Sequence, residues 1–226
     1  MIGSVAARPA SDPIRLQLHG DVLDPWSWIA EKRIATAADT FHGRFAPLEH
    51  VPLCWNWEAR APTAAECRRR ARELVRAARE VDAPPFSGEL WKSGGSAPQS
   101  SKPAVIAIAA AQVSSKEEAT TLRKALREAA LVSGLDVSRK DVILEVAERA
   151  GLNLSRFAPA VEAPATERAV LDAMREGVDL GLKTGPALVI EEDWLVAGLR
   201  SLREYRSLLK RYLVTHVGAL AGHTIH

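Results

Sequence analysis

Cysteine is nearly missing from this chain: 226 residues hold two, Cys54 and Cys67. Two thiols cannot form the disulfide framework that staples small secreted domains. Six histidines are scattered, and none sits with a cysteine at ligand spacing, so no metal site is expected. An excess of one charge is also lacking. Thirty Lys and Arg stand against 28 Asp and Glu, a net charge of +2, so neither nucleic acid nor a membrane surface is expected as partner. The densest basic run, Arg68-Arg69-Arg70 with Arg72, is interleaved with Glu66, Glu73 and Glu80 and reads as a solvated helix face. No stretch nears 18 continuous apolar residues, so no transmembrane helix is expected. Residues 1–13 carry Pro9 and Pro13 and no apolar core; they read as a loose tail, not a secretory signal, and a cytoplasmic location follows. Gly94-Gly95 is not followed by Lys-Ser/Thr, which argues against a phosphate-binding loop.

What is present has an order. Ile14 to His19 alternates apolar and polar with the period of a strand. Asp24-Pro25 then opens a helix, Asp as N-cap and Pro at N1, where a missing N–H is harmless. That helix runs through Ile29, Ile34 and Ala37 and stops near His42-Gly43, and 44–52 is a second strand. From Cys54 to about Pro159 the pattern is helical, with Thr63/Glu66, Ser115/Glu118 and Ser138/Asp141 as capping boxes and 93–101 as a loop. A helix over 165–182 follows, then an apolar run 187–190, an acidic turn 191–193, Trp194-Leu195-Val196, and a last helix capped by Ser201/Glu204. The order β-α-β, helices, α-β-β-α implies an α/β domain with a large all-helical insertion. Residues 14–53 and 163–226 form the α/β part, and 54–162 form the insertion.

Two separated motifs carry a resemblance. Asp24-Pro25-Trp26-Ser27 stands at a strand-to-helix junction, and Thr184-Gly185-Pro186 introduces the hairpin. Together with Asp21, Ser101-x-Pro103-Ala104, Leu126-Arg127-Glu128-Ala129 and Val196-Ala197-Gly198, they resemble the thioredoxin-like DsbA family. The nearest branch looks like the FrnE-like proteins, 2-hydroxychromene-2-carboxylate isomerases and kappa-class glutathione transferases. The resemblance implies a thioredoxin-like fold in which Pro186 is the cis-proline facing the active-site turn. It also marks a departure. Asp24 and Ser27 occupy the positions of the two redox cysteines of Cys-Pro-x-Cys. The isomerase and transferase branches have Ser-Pro-x-Ser there, so Asp24 departs from both patterns.

Thiol–disulfide exchange needs a thiolate, and neither a carboxylate nor a hydroxyl can replace it. Asp24 and Ser27 are therefore the candidate catalytic residues of some other chemistry. Asp24 could serve as a general base, as an anchor for a cationic or hydroxyl-bearing ligand, or as a cap on a silent site. Ser27 could donate to a ligand, but with no adjacent histidine it has no base to make it a nucleophile. Pro25, Trp26 and Trp28 flank the turn as candidate ligand contacts. Cys54 and Ser101 join them from the second strand end and the insertion, and Gly185 and Pro186 supply a backbone edge from which Gly185 removes a side-chain wall. Trp55, Trp57 and Trp91 could shape an apolar groove between the two parts of the chain. No cofactor is fixed; glutathione or another thiol is the candidate that the resemblance implies. The expected partner is a small molecule or peptide in that groove, and a homodimer stays open.

Overall fold

The computed structural model describes residues 12–92, 97–182, 185–192 and 194–216. Most of the expected tail, Gly94-Gly95, Thr184 and Asp193 lie outside the described residues. Four strands and eight α-helices are formed among those described. Strand β1 (Leu16–Gly20) runs into α1 (Pro25–Asp39), which is closed by His42 and Gly43 in left-handed conformations, φ 47° and 78°. Strand β2 is Glu49–Pro52, shorter than the expected 44–52. Pro47 explains the loss: it has no N–H to give to a ladder, and upstream of it only the isolated Ile14–Phe45 bridge survives.

The insertion carries α2 (Ala64–Ala77), α3 (Lys102–Ser114), α4 (Lys116–Leu131), α5 (Lys140–Arg149) and α6 (Leu154–Glu162). Thr63 and Glu66 form a complete capping box on α2, and Ser115 caps α4 through Glu118 N–H. The expected Ser138 cap is corrected. Arg139 holds the N-cap position of α5, while the Ser138 hydroxyl donates to Asp136 and Asp141 pairs with Arg139. An Asp two residues upstream offers Ser138 a shorter local loop than the helix does. Helix α7 (Pro164–Asp179) leads back to β3 (Ala187–Ile190), β4 (Trp194–Ala197) and α8 (Leu202–His216).

The sheet order is β2-β1-β3-β4, with β1 and β2 parallel and both other pairs antiparallel. One apolar core joins Leu16, Leu18, Ile34, Leu188, Tyr205 and Leu209 around the sheet, α1 and α8. A second joins Leu74, Leu122, Leu126, Leu131 and Phe157 in the helices, and it also takes Val22 and Leu23. The turn leaving β1 therefore sits on the seam: the strand before it belongs to one core and its own side chains to the other.

Candidate active site

Asp24 is the N-cap of α1, in extended conformation, and its carboxylate turns back onto the helix. Oδ1 accepts from Trp26 N–H at 3.2 Å, and Oδ2 accepts from Ser27 N–H at 3.0 Å and from Ser27 Oγ at 2.5 Å. The expected pair is thus a bonded unit, with Ser27 fully buried and Asp24 half-buried. Burial pushes the Asp24 carboxyl up to about 6, and the charge of Asp21 adds to that. The bonds from Ser27 and Trp26 and the charge of Arg70 oppose it.

Asp21 lies deeper. Oδ1 accepts from Leu23 N–H at 2.7 Å, while Oδ2 accepts from Trp55 N–H at 2.5 Å and from Ser101 Oγ at 2.6 Å. Burial raises its pKa against those bonds and against the charge of Arg70. Ser101 is fully buried and its one proton is committed to Asp21, so it positions that acid and does not face a groove. Cys54 sits beside it, with Sγ 3.5 Å from Ser101 Oγ. Burial pushes the thiol up to about 11, which keeps it protonated at neutral pH.

Arg70 was expected on a solvated face with Arg68, Arg69 and Arg72. It instead turns inward, its guanidinium 5.0 Å from the Trp55 ring centre and 5.9 Å from that of Trp91. The two indoles meet edge to face at 5.6 Å. Trp28 packs edge-on against Phe86 at 5.6 Å, a core contact, and Lys102 covers Trp57 at 4.5 Å. Pro25 is buried and Trp26 half-buried.

The Gly185–Pro186 peptide is cis. A Cβ added at Gly185 would stand 2.9 Å from Leu53 Cδ1 and 3.1 Å from the His19 carbonyl oxygen. The glycine therefore permits close contact with the end of β1, and no wall has been opened there. Gly20, next along β1, is equally tight: a Cβ would stand 2.6 Å from Ser27 Oγ. The Gly185-Pro186 edge, Gly20, Ser27 and Asp24 thus form one continuous series.

On the other side of Gly20 lies a cluster that the sequence reading did not single out. Glu31, two turns along α1 from Asp24, bonds Arg123 Nη2 at 2.8 Å and also pairs with Arg127 Nη1. Arg127, fully buried, donates from Nη2 to His50 Nε2 across 2.9 Å. Burial pushes Glu31 up, but the Arg127 and Arg123 charges outweigh it and hold the carboxyl at about 2. Burial and the same two cations keep His50 neutral. A cavity of about 40 Å³ opens beside this cluster, between Gly20, Val22, His50 and Pro52 on one side and α3 and α4 on the other. A larger one, about 240 Å³, lies between α3, α5 and α6; its two lysines, Lys102 and Lys140, are paired with Glu167 and Glu162.

Comparison with known proteins agrees with this architecture. A family model described as a DsbA-like thioredoxin domain matches residues 15–210. A search of the curated proteins finds no match. Among solved structures, a candidate protein disulfide isomerase from Nitrosomonas europaea aligns over 91% of this chain and 100% of its own, with TM-score 0.75 and 19% identity. The cytosolic disulfide reductase DsbM from Pseudomonas aeruginosa, solved with GSH, aligns over 88% and 98%, with TM-score 0.65 and 19% identity. A 2-hydroxychromene-2-carboxylate isomerase aligns over 90% and 98%, with TM-score 0.62 and 13% identity. These neighbours share the fold, and the match over most of its length makes this chain a member of the DsbA-like thioredoxin domain family.

Proposed function

We propose that this protein is a non-redox member of its family that binds a small molecule between the sheet and the inserted helices, with Asp24 as the group that meets the ligand. The observation that carries this is the half-buried Asp24 carboxyl with a pKa of about 6 at the mouth of α1. A group of that pKa exchanges a proton near neutral pH, as a general base or acid must. The turn offers no thiol for a mixed disulfide. A second reading, a proton-transferring isomerase, is favoured by the same pKa and by the fold shared with the chromene carboxylate isomerase. A cytosolic location belongs to the same proposal, supported by the neighbour described as cytosolic.

The test is thermal-shift stabilisation by glutathione, coenzyme A and aromatic acids, with wild type and Asp24→Ala side by side. A ligand that stabilises wild type and loses its effect in the variant is the expected result. Equal stabilisation of both proteins, or of neither, overturns the role of Asp24 and leaves a scaffold whose partner is another protein.

A further inference from the structure

The buried cluster beside Gly20 leaves hydrogen-bond donors unused. Arg123 and Arg127 bring two guanidiniums, which stay protonated, and Glu31 supplies one carboxylate between them. His50 adds no negative charge. Arg127 can only donate, so His50 Nε2 is an acceptor and Nδ1 carries the proton, leaving the ring with a donor N–H. Arg123 uses Nε and Nη2 on Glu31, at 3.3 and 2.8 Å, and its Nη1 has no hydrogen-bond partner among the described residues. Both His50 and Arg123 line the 40 Å³ cavity, and so does Gln112, whose amide is exposed on α3. The remaining walls, Val22, Pro52, Val105, Ile108 and Ala109, are apolar.

A guanidinium N–H without a partner, an imidazole N–H and apolar walls in one small space suit one chemistry. We propose that this cavity is a carboxylate subsite, taking the head group of a small organic acid, with Arg123 Nη1 as its principal partner. A volume of about 40 Å³ holds little more than one water's share of liquid, so only the head group enters and the body of the acid must extend outward. A planar guanidinium edge matches a carboxylate better than an ammonium would. Gly20 places this cavity against Ser27, and through it Asp24. The proposal rests on the ligand-binding reading above and deepens it by naming the ligand class, a monocarboxylic acid.

The experiment is calorimetric and NMR titration of the full chain with sodium benzoate and propionate. Benzamide and propionamide at matched ionic strength serve as neutral controls. The acids are expected to bind saturably and at least about tenfold more tightly than the amides. Arg123→Gln should remove that preference. Because it also strips a partner from Glu31, Ala109→Leu serves as the second variant: it fills the cavity without touching any ion pair, and it should weaken the acids by a similar factor. Acids binding no better than amides, or binding that survives both cavity variants, overturns the subsite whatever Asp24 does. Acid binding that needs Arg123, alongside no Asp24-dependent ligand in the thermal-shift assay, overturns the Asp24 reading and leaves the subsite standing.

Discussion

Asp24 and Glu31 are two carboxylates on the same face of one helix, seven residues apart, and the fold drives them in opposite directions. Asp24 has the α1 N-terminus and a serine hydroxyl for company, yet burial and the neighbouring Asp21 raise it to about 6. Glu31 is also held away from water, yet two guanidiniums hold it at about 2. The capping bonds that Asp24 receives are real stabilisers, but neutral N–H donors do not offset the loss of water as a full positive charge does. One end of the helix therefore carries a group that can change charge near neutral pH, while two turns away the charge is locked. The locked pair behaves as structure, and the movable one is where chemistry can occur.

The largest test of that contrast is Glu31→Gln. Removing the anion leaves Arg123 and Arg127 without the carboxylate that bonds both, which should cost about 3–5 kcal/mol in urea unfolding at pH 7. A loss below about 1 kcal/mol would mean the cluster is hydrated and the contrast is false.

The second test uses pH. The folded-state pKa of Asp24 lies above its ordinary value of 3.8, so the folded protein keeps the proton longer than the unfolded chain does. Its favourable contribution is complete below about pH 4 and is lost as pH rises through about 6, an effect on the order of 2–3 kcal/mol. Glu31 has the reverse sign: its contribution is present above its ordinary value of 4.5 and fades as pH falls toward 2. Stability differences between wild type and Asp24→Asn, measured at pH 4 and pH 7, should move in favour of the variant on going to pH 7. Parallel curves for the two proteins would show that Asp24 titrates normally.

The third test probes the contact between the two regions. Gly20→Ala puts a methyl against Ser27 on one side and toward His50 on the other. It should cost about 1–3 kcal/mol as an overpacked position. It should also shift the Asp24 carbon resonance titration, because Ser27 cannot keep its bond while it yields space. A tolerated alanine with an unchanged titration would separate the turn from the cluster.

The frame of the fold was legible because its signals are local. Asp24-Pro25 announces a helix start, alternation from Ile14 to His19 announces a strand, and Ala187-Leu188-Val189-Ile190 before an acidic turn announces a hairpin. The place of Cys54 at the sheet end near Asp24 came from topology, while Asp24, Ser27 and Ser101 came from the family resemblance. The charges that decide their chemistry came from neither. Arg70 sits in a run of four arginines, and only its inward rotation separates it from Arg68, Arg69 and Arg72. Arg127 had a weak signal. It lies between Leu126 and the apolar stretch Ala129-Ala130-Leu131, one turn after Arg123, on a helix whose buried face it must share. Glu31 likewise follows Ile29-Ala30 on the buried side of α1. A charge within an apolar stripe announces that a partner exists, but the partner is some ninety residues away and no local pattern names it.

Asp21 has one more consequence, for how the chain closes on itself. Its Oδ2 receives both Trp55 N–H and the Ser101 hydroxyl, the neck of an excursion that contains α2. Bringing those ends together costs about 3 kcal/mol of loop-closure entropy for a span of 46 residues, so the neck forms only once packing along the excursion repays it. One buried carboxylate thus fastens three separate stretches of chain, the start of the turn, the end of the second strand and the start of α3, at a single point.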